Sequence, residues 1–432
     1  MKITRRTVDT MILTELLGGV TGCKCGKAHI CPIKTVAVGN GALEELGTLC
    51  RDFKNILVVA DENTLAAVGE EALSLLDGKI EGRVIFTGEK ILVPNEEAIA
   101  RIDENITEKT DLIVGIGSGV INDLCKYTSH KAHLPYFIVA TAPSMDGYAS
   151  VGAALILGGM KVTLNAAPPM AIIGDTRVLS GAPMDMIISG YGDIIGKYSC
   201  LNDWKLSKTV CGEYFCELVY RETLLKADEV RPLGKALLMR DEVAVKSLFE
   251  ALVAVGVLMA YVGNSRPASG SEHHFSHYFE ITGILRGEKY LSHGIDVFYS
   301  AAESAKMRGE LLLLTSPTGK ALPCDAREDI SRIYGSLSEE VLSLQKKVGF
   351  YSSRDERLCT YEKKWQEICE ILADAPTFSD MLDMLSEVGM DYAFFEDYYG
   401  RERIDDARLY AKDLKDRYTV LWMYYDIFCK QK

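Results

Sequence analysis

Residues 111–132 read DLIVGIGSGVINDLCKYTSHKA and join an apolar run, a glycine-rich turn and a segment of helix length. The apolar run lacks polar alternation, which is typical of a strand buried on both faces of a parallel sheet. The turn Gly115-Ile-Gly117-Ser-Gly119 allows a phosphate to approach the backbone, and the helix that follows offers free N–H groups. Because a tight turn without a ligand uses the same glycines, this stretch predicts the local fold and leaves the ligand open.

The same alternation of strand and helix continues on both sides of this stretch. Apolar runs of strand length occur in KTVAVG (34–39), NILVVAD (55–61), RVIFTG (83–88), PYFIVATAP (135–143) and MAIIGD (170–175). Strands that alternate with helices predict βαβ units and a parallel sheet. ALILGG and MKVTLN (154–165) predict an inserted hairpin that turns at Gly158-Gly159.

Beyond Asp175 the strand-like runs almost vanish and helical periodicity continues to the C-terminus. We therefore expect an α/β Rossmann-like parallel-sheet domain over residues 1–178 and an all-α domain over residues 179–432. The first would bind a dinucleotide, and the second would bind metal and substrate.

Composition excludes several classes of protein. The 432 residues include 48 Lys and Arg against 61 Asp and Glu, a net charge of −13 that disfavours nucleic acid and anionic membranes as partners. Twelve cysteines are too sparse for a disulfide framework and predict free thiols in a reducing cytoplasm. The apolar stretch 251–265 is shorter than the roughly 20 residues of a bilayer-spanning helix, so we expect no membrane insertion.

Two further strand ends carry candidate ligand-binding residues. Asp61 closes a predicted buried strand, where a carboxylate accepts hydrogen bonds from an adenosine ribose, although capping the next helix explains it equally well. The segment TAPSMDGYAS (141–150) follows another strand and is rich in small and hydroxylated residues. Its Asp146 could accept a substrate hydroxyl, and the alternative is a plain connecting loop.

Four of the seven histidines fall within residues 273–293. His273 and His277 are spaced i, i+4 and share one face of a predicted helix, and His293 follows at a glycine-ended turn. Two imidazoles and one carboxylate make an open site for a divalent metal. Asp193 is the best candidate for the carboxylate, because it lies among glycine and apolar residues in SGYGDIIGKYS; the alternative is a solvated aspartate on a helix surface.

A dinucleotide-binding half and a helical half with one Asp and two His resemble the iron-containing alcohol dehydrogenase and dehydroquinate synthase superfamily. The strings GSGVIND, TAPSMDGYAS, KVTLNAAPPMAIIGD, SGYGDIIGKYSCLNDW and SGSEHHFSHYFE resemble, more narrowly, the bacterial branch of the sn-glycerol-1-phosphate dehydrogenase family. The N-terminal CKCGKAH (23–29) is similar to the opening segment of that branch. Taken alone, Cys23, Cys25, His29 and Cys31 suggest zinc, but no second cluster completes the set, so no metal is predicted there.

The resemblance implies reversible NAD(P)H-linked reduction of dihydroxyacetone phosphate, one divalent metal (Zn, Ni or Fe) per subunit, and a homodimer. It implies metal ligands at Asp193, His273 and His293, substrate contacts at Asp146, Asp193 and His277, and catalytic roles for Asp193 and His277. His274 is left without a role. The implied cofactor contacts are Asp61, Gly119, Val120, Ile121, Asn122, Asp123, Thr141, Ala142, Pro143, Ser144 and Ser150.

Several alternatives stay open. Lys126 and Lys161 are both possible ligands of the substrate phosphate. A glycerol or butanol dehydrogenase would share the fold and the metal without the phosphate. A dehydroquinate synthase-like lyase and a non-catalytic protein that binds nucleotide and metal are more distant alternatives.

Overall fold

The computed structural model describes residues 11–88, 92–158, 160–317 and 326–429, without the side chains of residues 160 and 161. Eight strands are found in this part of the chain: β1 Thr35–Gly39, β2 Ile56–Asp61, β3 Ile80–Phe86, β4 Leu112–Gly117, β5 Tyr136–Ala140, β6 Gly152–Leu157, β7 Met160–Asn165 and β8 Ala171–Asp175. Two α-helices precede and follow β1, namely α1 Leu13–Leu17 and α2 Glu45–Leu49.

The remaining α-helices follow in chain order. The first group is α3 Glu62–Leu75, α4 Glu96–Asp103, α5 Gly119–Ala132, α6 Thr176–Gly181, α7 Met184–Ile195, α8 Lys197–Cys211, α9 Glu217–Val230, α10 Gly234–Leu238 and α11 Glu242–Val262. The second group is α12 Ser271–Arg286, α13 His293–Leu312, α14 Ala326–Tyr334, α15 Ser338–Val348, α16 Arg354–Ala373, α17 Phe378–Glu387, α18 Tyr392–Tyr399, α19 Arg401–Tyr410 and α20 Val420–Phe428.

Six strands form one sheet in the order β1-β8-β5-β4-β2-β3, and every pair in it is parallel. β2, β4, β5 and β8 are buried along nearly their whole length, as their unbroken apolar runs predict. β6 and β7 form the predicted antiparallel hairpin, in which Leu157 pairs with Met160 and Gly158 adopts a φ of +59°. A parallel α/β half followed by a mostly helical half confirms the predicted fold class.

The winding of the sheet reverses at the pair β2–β4. The chain passes from β2 to β3 toward one edge of the sheet, whereas β4, β5 and β8 follow one another toward the other edge. In open α/β sheets, ligands bind at such a switch point, beyond the carboxyl ends of the strands. The sheet order therefore locates the expected ligand site beside Asp61 and Gly117.

The chain divides into two units that interleave in sequence. The α/β unit contains the described residues of Met1–Ile187 together with Cys216–Val230 and Arg240–Ser265, and the helical unit contains Ile188–Phe215, Arg231–Met239 and the described residues of Arg266–Lys432. The α/β unit thus includes α9 and α11, which come late in the chain. The single boundary after residue 178 remains a prediction.

Helix α11 is long and apolar enough to cross a membrane by length and composition, yet 72% of its most apolar window is buried in the protein. It packs within the α/β unit against the turn at residues 146–149, where a Cβ on Gly256 would lie 2.8 Å from the Asp146 carbonyl oxygen. The apolar character of α11 is thereby explained by its place in the core of that unit.

Candidate active site

The predicted cofactor residues follow three neighbouring strands of the α/β unit. Asp61 ends β2, residues 119–123 form the first turn of α5 after β4, and residues 141–150 follow β5. β4 pairs with both β2 and β5, so their carboxyl ends share one edge of the sheet. The Thr64 hydroxyl donates a hydrogen bond of 2.8 Å to the Ile116 carbonyl and joins the β2 and β4 ends at the switch point.

Asp61 is the N-cap of α3. Its Oδ1 accepts hydrogen bonds of 2.9 Å from the backbone N–H groups of Asn63 and Thr64, and Thr64 completes a capping box with the Asp61 backbone. The capping alternative for Asp61 is therefore confirmed. A cap uses one carboxylate oxygen here, so the ribose role is compatible with it and stays a prediction.

The glycines of the β4–α5 turn serve close packing as well as approach to a ligand. A Cβ on Gly117 would lie 2.6 Å from the Ile121 side chain, and one on Gly115 would lie 2.9 Å from the Cys125 sulfur. Without those side chains α5 packs directly on the sheet and begins at Gly119. The N–H groups of the first three residues of a helix have no acceptor within it, which is the arrangement that binds a pyrophosphate. Here the Asn122 N–H already donates to the Ser118 carbonyl at 2.9 Å.

Lys126 organises the loop after β5. Its ammonium donates hydrogen bonds to the Gly147 carbonyl (2.6 Å), the Ser150 hydroxyl (3.1 Å) and the Gly152 carbonyl (3.0 Å), and the side chain is fully buried. Burial lowers the pKa of Lys126, against the opposing effect of the Asp123 and Asp146 carboxylates. Because an ammonium has three N–H donors, the structure gives Lys126 a positioning role in the loop in place of the phosphate contact considered from the sequence.

The polar members of this loop are largely inaccessible. Thr141, Ser144, Asp146 and Ser150 are each at most 9% exposed, and Asp146 opens a short 3-10 turn that ends at Ala149. The loop is thus a fixed structure. The side chain of Lys161, the second lysine considered for the phosphate, lies outside the described residues.

Asp193, His273 and His293 meet in the helical unit, and we call them the histidine cluster. Asp193 lies near the end of α7, His273 is in the first turn of α12, and His293 is the first residue of α13. One ligand atom from each lies within 4.8 Å of the other two, and His273 Nε2 is 3.6 Å from Asp193 Oδ1. The structure thus brings together the three residues for which metal ligation was predicted, and the ligation itself stays a prediction.

The donor set of the histidine cluster fits a divalent metal. Tetrahedral bonds of about 2.1 Å separate an imidazole nitrogen from a carboxylate oxygen by about 3.4 Å, close to the distance found here. Three protein ligands leave at least one coordination position for substrate. The helices bring these donors together because Gly192 and Gly294 allow α7 and α13 to approach: a Cβ on Gly192 would lie 2.5 Å from the Gly294 carbonyl oxygen.

Two buried residues that the sequence analysis missed hold the ligands in place. The Lys197 ammonium donates a 2.7 Å hydrogen bond to Asp193 Oδ1 and a second, of 3.1 Å, to the Ala268 carbonyl. Glu272 Oε1 lies 2.7 Å from His273 Nδ1 and accepts a 2.8 Å bond from the Gly270 N–H. A carboxylate on the distal ring nitrogen fixes the tautomer that presents Nε2 to a metal.

Burial and neighbouring charges keep Asp193 and His273 in the protonation states that bind a metal. Burial raises the pKa of Asp193, but Lys197, His273 and His293 outweigh burial and hold that pKa below its usual range. Burial, with the charge of Lys197, lowers the pKa of His273 to about 3. At neutral pH the cluster therefore presents a carboxylate and a neutral imidazole.

His277 lies beside the cluster and is more accessible than His273. Its ring centroid is 6.2 Å from that of His273 and 5.9 Å from that of His293. The fourth histidine of residues 273–293, His274, is fully buried on α12. Burial lowers its pKa well below the usual value. The histidine-rich segment thus separates into residues at the cluster and one core residue.

Comparisons with known proteins identify the relatives of this chain. Residues 37–183 match the iron-containing alcohol dehydrogenase family. The glycerol-1-phosphate dehydrogenase [NAD(P)+] of Bacillus licheniformis is 30% identical over 413 residues, covering 92% of this chain and 90% of the relative. The enzyme of the same name from Methanosarcina acetivorans is 35% identical over 256 residues, covering 56% of this chain and 69% of the relative.

Solved structures share the fold. The glycerol dehydrogenase of Schizosaccharomyces pombe superimposes with a TM-score of 0.53 at 18% identity, covering 85% of this chain and 91% of that one. A relationship at this identity establishes the architecture alone. The sequence relatives, matched along nearly the whole chain, go further: the chain belongs to the glycerol-1-phosphate dehydrogenase family.

Proposed function

We propose that this chain is a metal-dependent, NAD(P)-linked glycerol-1-phosphate dehydrogenase that interconverts dihydroxyacetone phosphate and sn-glycerol 1-phosphate. The observation that supports it most directly is the convergence of Asp193, His273 and His293 in a member of that family. The enzyme is an oxidoreductase, in which a bound nicotinamide cofactor would supply the hydride for the C2 carbonyl carbon while a proton is added to the carbonyl oxygen.

The α/β unit binds the cofactor in this proposal. The first turn of α5, Gly119–Asp123, offers N–H groups and the positive end of a helix dipole to the pyrophosphate. The free oxygen of Asp61 accepts a ribose hydroxyl while the other caps α3. The loop that Lys126 holds in place contributes residues 141–144 and Ser150, which contact the nicotinamide end of the cofactor in this proposal.

The helical unit binds the metal and the substrate oxygen. A divalent metal bound there would act as a Lewis acid and polarise the substrate carbonyl. Zinc, nickel and iron all suit this set of ligands. Asp193, His273 and His293 are its proposed ligands, one metal per subunit. Lys197 keeps Asp193 ionised and oriented, and Glu272 orients the His273 ring.

His277 is the proposed substrate partner in that unit. It lies within 6.2 Å, ring to ring, of the two histidine ligands and is only partly buried, so it can orient a substrate hydroxyl and move a proton to or from it. Histidine is the side chain that most often moves a proton in enzyme active sites. Asp146 is proposed as an acceptor for a second substrate hydroxyl.

The decisive assay is oxidation of NADH and NADPH by the metal-stripped and metal-restored enzyme. We expect turnover with dihydroxyacetone phosphate after restoration with zinc, nickel or iron, and little with dihydroxyacetone, glycerol in the reverse direction, or butanal. A preference for an unphosphorylated alcohol would favour a glycerol or alcohol dehydrogenase. No oxidation with the phosphate under any of these metals would exclude the proposal.

The cofactor preference is tested at Asp61, because its carboxylate repels the 2′-phosphate of NADPH. Asp61→Asn keeps the capping oxygen and removes the charge. We expect the KM for NADPH to fall about tenfold relative to that for NADH, which corresponds to ~1.4 kcal/mol. An unchanged KM ratio would contradict a ribose contact at this position.

From the family relationship we also propose a cytoplasmic homodimer as the working form. Light scattering of the metal-loaded protein tests the assembly directly.

A further inference from the structure

Three cysteines and one histidine of the α/β unit lie together, although one of the cysteines is far from the other three residues in sequence. Cys23, Cys25, His29 and Cys216 each place one ligand atom within 4.8 Å of the others, and we call them the cysteine cluster. Cys216 immediately precedes α9 and is 193 residues from Cys23. Cys31, which the sequence alone grouped with the first three, is not a member.

The distances within the cysteine cluster are those of metal ligands. Cys23 Sγ is 3.7 Å from Cys216 Sγ, and His29 Nε2 is 3.4 Å from Cys25 Sγ and 3.5 Å from Cys216 Sγ. A tetrahedral zinc with Zn–S bonds of about 2.3 Å and Zn–N bonds of about 2.0 Å separates two sulfurs by about 3.8 Å and a sulfur from a nitrogen by about 3.5 Å. A disulfide, in contrast, brings two sulfurs to about 2.05 Å.

His29 is oriented as a metal ligand. Its ring is buried, stacks on the Tyr261 ring with centroids 5.0 Å apart, and places Nδ1 3.0 Å from the Tyr261 carbonyl oxygen. A carbonyl only accepts hydrogen bonds, so Nδ1 carries the proton and Nε2 has its lone pair directed at the sulfurs. Carbonyl groups bonded to the distal nitrogen are the usual second partner of zinc-binding histidines.

The backbone holds the first three members in one tight structure. Val20 and His29 form an antiparallel bridge with N–H to carbonyl distances of 2.8 and 2.9 Å, and the Gly26 N–H bonds to the Cys23 carbonyl at 3.0 Å. Gly19 has a φ of +73°, and a Cβ there would lie 2.6 Å from the His29 carbonyl oxygen. The short loop between the bridge residues therefore presents Cys23, Cys25 and His29 toward one point.

From this geometry we propose that Cys23, Cys25, His29 and Cys216 form a structural zinc site, separate from the histidine cluster. Three thiolates and one imidazole are the donors that select Zn²⁺, and four protein ligands close its coordination. The ion joins the N-terminal segment to the start of α9 within the α/β unit. This proposal does not depend on the proposed function.

Cobalt spectroscopy of the reduced, metal-stripped full-length protein tests the site. Co²⁺ bound by cysteine produces thiolate-to-metal charge-transfer absorption, which the sulfur-free histidine cluster cannot produce. We expect this absorption to saturate at one Co²⁺ per chain, to persist in His273→Ala, and to disappear on addition of Zn²⁺. Its absence from the wild-type protein at saturating Co²⁺ would overturn the proposal.

Matched cysteine variants locate the ligands. Cys25→Ser and Cys216→Ser should each lose the charge-transfer absorption and one bound zinc per chain, whereas Cys31→Ser should keep both. Retention of the absorption in Cys216→Ser, or its loss in Cys31→Ser, would overturn the assignment.

A measurement on the wild-type protein avoids the risk that a variant misfolds. Cys23 and Cys25 are only partly buried, as is Cys31, so all three can be alkylated. Zinc loading should slow alkylation of Cys23 and Cys25 at least tenfold, read by peptide mass spectrometry, and leave Cys31 unchanged. Equal rates of alkylation with and without zinc would contradict a zinc site.

Discussion

The histidine cluster and the cysteine cluster contrast in donor number and donor type. The first offers one carboxylate and two imidazoles on three helices, with Lys197 and Glu272 behind them. The second offers three sulfurs and one imidazole, mostly from a short loop. An ion with three ligands retains a position for a reacting molecule, whereas an ion with four ligands has none. Donor number and donor type therefore separate the proposed reactive metal site from the proposed structural one.

The strongest test of this contrast is to remove one ligand from the histidine cluster. His273→Ala should lose the metal there and lower kcat/KM by ~10³-fold or more, because several kcal/mol of carbonyl polarisation are lost. The metal of the cysteine cluster should remain. His277→Ala is the matched control, since it should keep both metals and still lose turnover. Loss of metal from His277→Ala would show that its role is ligation.

Lys197→Met tests whether a buried cation stabilises the metal-free histidine cluster. The substitution leaves the Asp193 carboxylate buried without its ammonium partner, which costs about 3–5 kcal/mol of unfolding free energy. Metal binding supplies a replacement charge, so zinc should stabilise the variant more than the wild type. Denaturant melts with and without zinc measure this difference. An equal loss in both states would mean that Lys197 acts through packing alone.

The two clusters should respond differently to pH. Burial raises the pKa of Cys216 to about 12 and lowers that of His273 to about 3, so zinc must displace a proton from the first residue and none from the second near neutrality. As pH falls from 8 to 6, zinc affinity should drop about tenfold or more per unit at the cysteine cluster and much less at the histidine cluster. Competition with a chromophoric chelator, using variants that keep one cluster each, measures both slopes. An equal change in zinc affinity per pH unit at the two clusters would contradict this prediction.

A pair of glycine substitutions gives the smallest expected effects. Gly19→Ala places a Cβ near the His29 carbonyl, and Gly270→Ala places one 2.6 Å from the Cys200 Cα at the start of α12. Each should cost about 1–3 kcal/mol of stability. Each should also weaken zinc binding only at its own cluster. Metal titration of the two variants checks this, and weakening at both clusters in either variant would indicate general loosening.

The parts of the fold that the sequence predicted are governed by local patterns. Unbroken apolar runs identified β2, β4 and β5, and glycines marked both the β4–α5 turn and the β6–β7 hairpin. The histidine cluster was predicted because four histidines are concentrated within residues 273–293, and the family resemblance indicated His273 and His293, with Asp193, as the ligands. Asp61 shows what such patterns cannot decide, because an aspartate at the end of a strand is expected both for a helix cap and for a ribose ligand.

The residues that sequence analysis missed depend on tertiary packing. Cys216 joins Cys23 across 193 positions, and no local spacing reports that contact. Lys197 does carry a signal, because it lies four residues after Asp193 in an otherwise apolar segment, which indicates a buried ion pair on one helix face. Lys126 was one of two lysines considered for the substrate phosphate, and only the positions of its three acceptors show that it holds the loop after β5.

The interleaving of the two units determines the order in which the protein can mature during synthesis. The α/β unit needs α9 and α11, so its core stays incomplete until the ribosome has passed Ser265. At about 5–20 residues per second, the early strands wait many seconds for those helices. During that interval the surfaces that α11 covers on β1, α6 and the turn at residues 146–149 are left open to chaperones and to aggregation. Temperature and translation rate should therefore govern the yield of folded protein.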